Sequence, residues 1–289
     1  MESKNLSPSE VLIDALEYIK KFRDQIFVIK FGGEVMVDEK VLDAVAEDLL
    51  LLRYVNIKPV VVHGGGGEIS AAMDKFGKKP QFVKGLRVTD EETMDIVQMV
   101  LAGKLNNDIV ASMNKHGGHA VGISGKSAKL FSAEKVSSEE DVDLGFVGEI
   151  SEVNADLVRT LVDKGYIPVI SPIGIADDGS SLNINADVAA SKLAVELKAS
   201  KLILLTGVDG VLGKDGKLIK TLNSKEAEAL IESGIAKAGM IPKLTECIYA
   251  IKHGVPKAHI IKAKKHSILE EIFTSEGTGT MVEEKNEVC

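Results

Sequence analysis

The sequence contains no tryptophan, and aromatic residues make up only 4% of its 289 positions. Proteins that bind single-stranded nucleic acid stack bases on aromatic side chains, and those that bind duplexes carry excess positive charge. This chain has 43 acidic against 35 basic side chains, which gives a formal net charge of −8. We therefore expect no nucleic acid partner, although a few local cations can still bind an anionic small molecule.

Cysteine and long apolar runs are equally scarce. One of the two cysteines, Cys289, ends a polar tail, so with Cys247 it predicts no structural disulfide and favours a cytoplasmic protein. Neither cysteine lies in a metal-binding pattern, and we predict no metal ligands among the side chains. No apolar run approaches the roughly 20 residues that span a bilayer, and the first ten residues lack the apolar core of a secretory signal. We expect no membrane partner.

Apolar strands alternate with amphipathic helices along most of the chain. The first two buried strands are predicted at Ile26–Phe31 and Lys58–His63, and the apolar residues of Val41–Leu52 lie on one helical stripe between them. Glu91–Lys115 has the pattern of one long helix, and the segment from Ala128 to Val153 that of hairpins. This alternation predicts an α/β fold with a mainly parallel open sheet sandwiched between helices.

Glycines cluster where the first two predicted strands end. Gly32 and Gly33 follow the first strand, and Gly64–Gly67 follow the second. The backbone amides of a glycine-rich turn that runs into a helix bind anions, and two such turns in an open α/β sheet face one crevice. The pattern indicates a phosphate that passes between two ligands, with a flexible turn as the alternative.

Three familiar motifs nearly match these glycine segments. The fingerprint G-x-G-x-x-G fails because Ile69 or Ser70 stands where the last glycine is required. The segment AVGISGKS begins with Ala120 where a P-loop requires glycine, and the polar stretch after it is not typical of a helix. A serine hydrolase would pair its HGGG loop with a G-x-S-x-G elbow, whose nearest candidate here ends in Lys126. The sequence therefore favours none of these three classes.

Several polar or charged residues occupy positions where such side chains are unfavourable or unusual. Lys30 lies inside an apolar strand. A buried charge costs free energy unless it is paired or lies at the mouth of the crevice. Asn183, Asn185 and Asp187 alternate, so an extended backbone would direct all three to one side. Lys243 opens a helix, where the dipole disfavours a cation. Snorkelling or surface lysines, and helix capping by Asn185 or Asp187, are the alternatives.

Arg87 stands between a glycine and a predicted helix cap, a position unsuited to core packing. Its guanidinium fork suits a carboxylate. Phosphoryl transfer requires positioning and positive charge more than covalent help from the protein. Two lysines, an organising aspartate and the amides of two glycine turns supply those parts.

The motifs IKFGG, VVHGGGGEIS, KGLRVTD, LNINAD, ILLTGVDGVL and AGMIPK occur here in the order and spacing of one family. From Gln25 to Met281 the sequence resembles the acetylglutamate kinases, which have the amino-acid kinase fold. GLRVTD, NINAD and GMIPK are the most specific of these motifs. The resemblance implies ATP-dependent phosphorylation of the side-chain carboxylate of N-acetyl-L-glutamate to N-acetyl-L-glutamyl 5-phosphate, on the route to arginine.

The resemblance also implies roles for individual residues. Lys30 and Lys243 would stabilise the transferring phosphoryl group, and Asp187 would hold both lysines. The implied N-acetyl-L-glutamate-binding residues are Gly64, Gly65, Arg87, Asn183 and Asn185. The implied ATP-binding residues are Gly32, Gly33, Thr206 and Asp209. Mg²⁺ would bridge the ATP phosphates largely through water.

Two features resemble the arginine-inhibited members of that family. A helix within residues 1–24 would interlace dimers into a hexamer, and Lys265–Val282 would lie near the effector site. The candidate arginine-binding residues are Tyr18, His266, Glu276 and Gly277. The resemblance further implies an acetylglutamate-binding lobe at residues 25–175 and an ATP-binding lobe at residues 176–289. We therefore expect a homo-oligomer, a dimer or a hexamer, with arginine as effector.

Two alternatives remain open from the sequence. One is a kinase of the same fold that acts on carrier-linked aminoadipate, on glutamate or aspartate, or on a nucleotide. The other is a non-catalytic arginine sensor. The presence of Lys30, Asp187 and Lys243 together speaks against the sensor.

Overall fold

The computed structural model of the chain describes most of its length. The described residues are 7–36, 38–136, 143–237, 239–274 and 277–284. Among them, no helix is both long enough and apolar enough to cross a membrane.

The strands and helices follow each other in the predicted alternation. In chain order, the strands are β1 (Ile26–Phe31), β2 (Lys58–His63), β3 (Phe82–Val83), β4 (Leu86–Arg87), β5 (Ala120–Ser124), β6 (Phe131–Lys135), β7 (Val147–Val153), β8 (Ile167–Ser171), β9 (Ile173–Ile175), β10 (Ser181–Ile184), β11 (Lys201–Thr206), β12 (Thr221–Leu222), β13 (Lys257–Lys262) and β14 (Thr280–Glu283). The helices are α1 (Pro8–Phe22), α2 (Gly33–Met36), α3 (Glu39–Tyr54), α4 (Gly66–Lys75), α5 (Glu91–Gln98), α6 (Asn106–Lys115), α7 (Asp156–Asp163), α8 (Ala186–Glu196), α9 (Ser224–Glu232), α10 (Ile241–Lys252) and α11 (Ser267–Phe273). A π-helix, Met99–Leu105, joins α5 to α6, and a short 3₁₀ helix spans Ser127–Lys129.

Eight of the strands form one sheet in the order β12-β14-β13-β11-β1-β2-β8-β5. Neighbouring strands run parallel throughout, except for the antiparallel pair β13 and β14. The central strand β1 is buried along nearly its whole length, as expected for a sheet covered by helices on both faces. The predicted fold class is confirmed.

Each face of the sheet packs against its own set of helices. Val28 of β1 belongs to the core under α7, α8 and α10, whereas Phe27 and Ile29 belong to the core under α3, α6 and α11. Successive side chains of a strand point to opposite faces. Lys30 therefore shares its face with Val28 and points toward α8 and α10.

The predicted hairpins are part of a small closed barrel with the order β10-β7-β6-β9. β6 and β7 pair antiparallel, as the pattern between Ala128 and Val153 predicts. The predicted lobe boundary between residues 175 and 176 falls in the turn that joins β9 to β10, two antiparallel strands of this barrel. The division into an N-terminal helix and two lobes stays a prediction.

Two helices differ from their predicted form. The sequence predicts that the helix after the glycine run starts at Ile69, but α4 starts at Gly66 with Gly65 as its N-cap residue. The predicted continuous helix Glu91–Lys115 contains the π-helix. Leu101 and Leu105 of this π-helix press against Gly65, where the nearest side-chain carbons would lie 2.7 and 2.4 Å from an added Cβ. An alanine at position 65 would displace these two leucine side chains.

Candidate active site

A buried ionic cluster lies where β1, α8 and α10 meet. Lys30 Nζ lies 2.8 Å from Asp187 Oδ1, and Lys243 Nζ lies 3.0 Å from Asp187 Oδ2. Lys30 and Asp187 are only 8% and 6% exposed. One carboxylate thus bridges two ammonium groups, one from β1 and one from α10, which is the arrangement that the resemblance implies.

The local sequence explains how Asp187 reaches this position. The side-chain oxygen of Asn185 accepts a hydrogen bond of 2.8 Å from the Asp187 N–H, so Asn185 is the N-cap of α8. Asp187 then stands in the first helical turn, where the helix dipole favours an acid. Lys243 stands in the first turn of α10, where the dipole disfavours it, and the ion pair with Asp187 offsets that cost.

The charges of this cluster do not cancel. Burial by itself would raise the pKa of Asp187, but the charges of Lys30 and Lys243 outweigh burial and hold it below its usual range. Two ammonium groups against one carboxylate leave one net positive charge. A net cation in a buried place is stabilised by an anionic ligand.

A cleft of about 420 Å³ opens beside the cluster and contains both glycine turns. It brings together most of the residues that the sequence predicts for catalysis and for binding. The predicted residues in its lining are Lys30, Gly32, Gly33, Gly64, Gly65, Arg87, Asn183, Asn185 and Asp187. Lys243 reaches the same place through its contact with Asp187.

The second glycine turn is bonded to the first strand and runs directly into a helix. Gly64 donates a hydrogen bond of 2.8 Å to the Phe31 carbonyl and so joins the second turn to the end of β1. Gly65 caps α4 without a side-chain hydrogen bond, which leaves the first-turn amides of α4 without a side-chain cap. A Cβ at Gly66 or Gly67 would have no atom within 4 Å. The bare backbone therefore offers an anion site at the cleft wall.

Arg87 is a buried guanidinium held by neutral partners. Its Nη2 donates to the Gly66 carbonyl at 2.7 Å and to Ser70 Oγ at 2.8 Å. The guanidinium also lies over the Phe82 ring, 4.7 Å from its centroid. Burial lowers the pKa of Arg87, and no carboxylate among the described residues forms an ion pair with it. Its charge is available for the carboxylate of a ligand.

Two residues that support the cleft were not among the predicted site residues. His63 is fully buried, and burial lowers its pKa to about 4, so the ring is neutral. Its Nδ1 contacts the Gly64 carbonyl at 3.0 Å, and its Nε2 accepts from the Asn106 amide at 3.2 Å. The histidine directly before the glycine run is the signal that could have indicated this support.

Thr89 supports the substrate side of the cleft in a similar way. Its hydroxyl donates to the Arg87 carbonyl at 2.7 Å and accepts from the Asn183 amide at 3.2 Å. Arg87 and Asn183, which come from distant parts of the chain, are thus joined through one hydroxyl group.

The predicted nucleotide residues Thr206 and Asp209 lie at and just after the end of β11. Thr206 is the last residue of β11, which neighbours β1 in the sheet, and its carbonyl accepts from the Ala263 amide at 2.8 Å. Asp209 is exposed and lies 3.3 Å from Lys262 Nζ. Both lie outside the lining of the cleft.

The predicted effector residues do not all come together. A second cavity of about 280 Å³ is lined by Tyr18 and Gly277, but not by His266. His266 Nδ1 instead lies 2.7 Å from the buried Asp48 Oδ1, which joins α11 to α3. The prediction for Glu276 lies outside the described residues. The structure thus separates His266 from the other two predicted residues.

A different histidine lies at this second cavity. His259 Nδ1 contacts Glu271 Oε1 at 2.7 Å, and Lys201 Nζ contacts His259 Nε2 at 2.9 Å. Burial lowers the pKa of His259 to about 4 and that of Lys201 to about 8. Burial opposes ionisation of Glu271, but the bond from His259 and two backbone amides lower its pKa to about 2. Lys201, His259 and Glu271 line the cavity with three further lysines, Lys21, Lys220 and Lys257.

Comparison with known proteins agrees with this fold. The model of the amino acid kinase family matches residues 25–262. An acetylglutamate kinase of Methanocaldococcus jannaschii is 52% identical, with 96% of each chain covered. An N-acetylglutamate synthase of Neisseria gonorrhoeae, solved with coenzyme A and N-acetyl-glutamate, superposes with a TM-score of 0.88 at 27% identity.

That synthase is a longer protein. The match covers 97% of this chain and 64% of the synthase chain. The same synthase, solved with coenzyme A and L-arginine, gives a TM-score of 0.84 at 26% identity and covers 97% of this chain and 66% of that one.

The chain belongs to the amino acid kinase family. Within that family it belongs to the acetylglutamate kinases, which use ATP to phosphorylate N-acetylglutamate in arginine biosynthesis.

Proposed function

We propose that the cleft holds N-acetyl-L-glutamate against the γ-phosphate of ATP and transfers the phosphoryl group to the side-chain carboxylate. The observation that carries this proposal is the position of Asp187 between Lys30 and Lys243 at the wall of the cleft. The two ammonium groups stabilise the negative charge on the transferring oxygens, and Asp187 keeps both directed at it.

The reaction needs no general base. The bond from the γ-phosphorus to the bridging oxygen of ADP breaks while a bond to a carboxylate oxygen forms, and that carboxylate is already ionised. Among the described residues that line the cleft, the titratable side chains are Lys30, Arg87 and Asp187. This set provides positive charge and organisation, as the proposed step requires.

The remaining predicted residues hold the two substrates. Arg87 binds the α-carboxylate of N-acetyl-L-glutamate through its guanidinium fork. Asn183, Asn185 and the amides at Gly64 and Gly65 bind its other polar groups. The proposal is supported by the position of all these residues along one cleft.

The ATP site follows from the same arrangement. The amides of Gly32 and Gly33 donate to ATP phosphates, and Thr206 and Asp209 lie beside the nucleotide at the end of the neighbouring strand. The described residues contain no group of three or more His, Cys, Asp or Glu side chains that could hold a metal. Mg²⁺ would enter with ATP, coordinated largely by phosphate oxygens and water as this ion prefers, and would supply further positive charge at the transferring group.

Turnover with alternative acceptors tests the substrate. We expect ATP consumption with N-acetyl-L-glutamate and only weak consumption with glutamate, aminoadipate or UMP. Preference for one of those compounds would support another kinase of this fold. Absence of turnover with every acceptor would support the non-catalytic sensor.

The second cavity is the candidate site for arginine. Arginine carries a carboxylate, which lysines such as Lys201 can bind, and a guanidinium, which suits Glu271. The crystal structure of the gonococcal synthase with L-arginine gives further support, because that protein shares this fold. We propose that arginine inhibits the enzyme from this cavity and that Tyr18 places α1 at its edge.

Helix α1 also supports the proposed homo-oligomer. Val11, Leu12 and Ile13 are 51%, 72% and 64% exposed, so one turn of α1 presents apolar side chains outward. A second copy of the chain that covers them gives a dimer or, with further contacts, a hexamer. A cytoplasmic location stays our prediction, in keeping with an enzyme of amino-acid biosynthesis.

Inhibition and assembly are tested with separate variants. Lys201→Ala should raise the arginine concentration that halves activity, whereas His266→Ala, outside the cavity, should leave it unchanged. Deletion of residues 1–22 should reduce the molecular mass measured by light scattering. Unchanged inhibition in Lys201→Ala, or unchanged mass in the deletion, contradicts the respective proposal.

A further inference from the structure

A second polar contact joins α8 to α10 one turn away from the ionic cluster. The Ser191 hydroxyl donates to Glu246 Oε2. Ser191 follows Asp187 by four residues on α8, and Glu246 follows Lys243 by three residues on α10. Residues at these spacings lie on the same face of a helix. The two helices are therefore joined by two polar pairs, one above the other.

The surroundings of the second pair make it unusual. Ser191 is fully buried and Glu246 is partly buried, with the charged side chains of Asp187, Lys192 and Glu149 near the Glu246 carboxyl. Burial raises the pKa of the Glu246 carboxyl, and the nearby Asp187 acts in the same direction. A polar pair in such a place costs free energy unless its partners are aligned.

Apolar contacts between helices are non-directional and tolerate small shifts and rotations. A hydrogen bond tolerates much less. The pair Ser191 and Glu246 therefore fixes the spacing and the rotation of α10 against α8. The side chain of Lys243 is long and flexible, so its ammonium group depends on that setting to reach Asp187 and the cleft.

We propose that Ser191 and Glu246 are positioning residues for phosphoryl transfer, because their hydrogen bond sets the relation of α8 to α10 at which Lys243 meets Asp187. The inference rests on the proposed role of Lys243. A displacement of about 1 Å at a reacting centre can cost roughly 100-fold in rate. Loss of a supporting hydrogen bond should cost less, because the ion pair of Asp187 and Lys243 remains.

Three variants separate the hydrogen bond from the charge. Ser191→Ala removes the donor, Glu246→Leu removes the acceptor, and Glu246→Gln keeps an acceptor without the charge. We expect Ser191→Ala and Glu246→Leu to lower kcat about tenfold with little change in the KM for N-acetyl-L-glutamate. Glu246→Gln should retain most of kcat. Loss of kcat in Glu246→Gln with normal turnover in Ser191→Ala would overturn the proposal.

A matched control uses another contact of α10. Glu228 of α9 forms an exposed ion pair with Lys252, near the far end of α10. Glu228→Gln should leave kcat unchanged. Melting temperatures of all variants show whether each is folded. If Glu246→Leu does not fold, Ser191→Ala still tests the proposal, since it removes only one oxygen atom.

The decisive measurement is a double-mutant cycle with Lys243→Ala. If the pair acts through Lys243, Ser191→Ala should lower kcat in the wild-type background and have no further effect in Lys243→Ala. An equal loss in both backgrounds, or normal kcat in Ser191→Ala, overturns the inference. Near-normal turnover of Lys243→Ala itself would instead show that the proposed function of the cluster is wrong.

Discussion

Among the described residues, two buried clusters each combine one carboxylate with two basic side chains. In the first, Asp187 lies between Lys30 and Lys243 at the cleft. In the second, Glu271 contacts His259, which contacts Lys201, at the second cavity. The residue types are similar, but the charge that remains is different.

Hydrogen bonding explains the difference. Glu271 also accepts from the backbone amides of Thr278 and Gly279, at 2.6 and 3.1 Å, and burial keeps His259 neutral. Asp187 instead faces two ammonium groups. The first cluster is therefore left with excess positive charge for an anionic ligand, while the second is largely balanced within itself. The difference is the basis for proposing phosphoryl transfer at the first cluster and arginine binding at the second.

The largest expected effect comes from the lysines of the first cluster. Lys30→Ala or Lys243→Ala should lower kcat by about 100-fold or more, roughly 2.7 kcal/mol, because positive charge at the transferring oxygens is lost. Steady-state kinetics with N-acetyl-L-glutamate and ATP measure this. Lys58→Ala is the control. Lys58 also pairs with an aspartate, Asp163, but it lies at the start of β2, the end away from the glycine turn. Near-normal turnover of Lys30→Ala and Lys243→Ala would show that the excess positive charge of the first cluster does not serve catalysis.

The next effect concerns Arg87, whose guanidinium at the cleft has only neutral hydrogen-bond partners in the described part of the chain. Arg87→Ala should raise the KM for N-acetyl-L-glutamate about 10-fold or more, with a smaller change in kcat, because a charge-assisted contact to the substrate is lost. Arg53→Ala is the control, because Arg53 also donates to a backbone carbonyl, that of Gly165, away from the cleft. An unchanged KM in Arg87→Ala would place the substrate carboxylate elsewhere.

We expect His259 of the second cluster to make the stability of the protein depend on pH. The pKa of His259 is about 4 in the folded protein, against about 6.5 when unfolded. Between these values the unfolded state binds more protons, so stability falls as pH falls from 6.5 toward 4. His259→Gln should make this fall shallower in urea titrations at pH 7 and pH 5.

His253→Gln is the control for that measurement, because His253 is exposed at the end of α10. Its fall in stability between pH 7 and pH 5 should match that of the wild type. An equally steep fall in His259→Gln would show that His259 is not held neutral in the folded protein.

The smallest expected effect concerns glycines at and away from the cleft. Gly67→Ala and Gly103→Ala should each stabilise the protein by about 0.5–1 kcal/mol, because alanine favours a helix and neither added Cβ meets another atom within 4 Å. Gly67 lines the cleft and Gly103 does not. Only Gly67→Ala should raise the KM for one of the two substrates, N-acetyl-L-glutamate or ATP. Equal kinetics in both variants would argue against a ligand at the α4 amides.

Much of the fold followed from local patterns. The run Ile26–Phe31 and the stripe Val41–Leu52 predict β1 and α3, because burial on both faces and burial on one face leave different periods in a sequence. The sequence does not predict the start of α4 at Gly66, because glycine disfavours helices. In the folded protein the nearby Gly64 is bonded to the end of β1, and Leu101 and Leu105 pack against Gly65. The closed barrel was also missed, because its strand pairs join segments that are distant in the chain.

The sequence by itself determined the strand–helix alternation and the two glycine turns at strand ends. It did so because burial and backbone conformation constrain residue type position by position. Only the tertiary structure decided that His259 rather than His266 joins Tyr18 at the second cavity, and that Ser191 meets Glu246 beneath the cluster. Such contacts depend on how helices and strands from distant segments pack, and no local pattern records that packing.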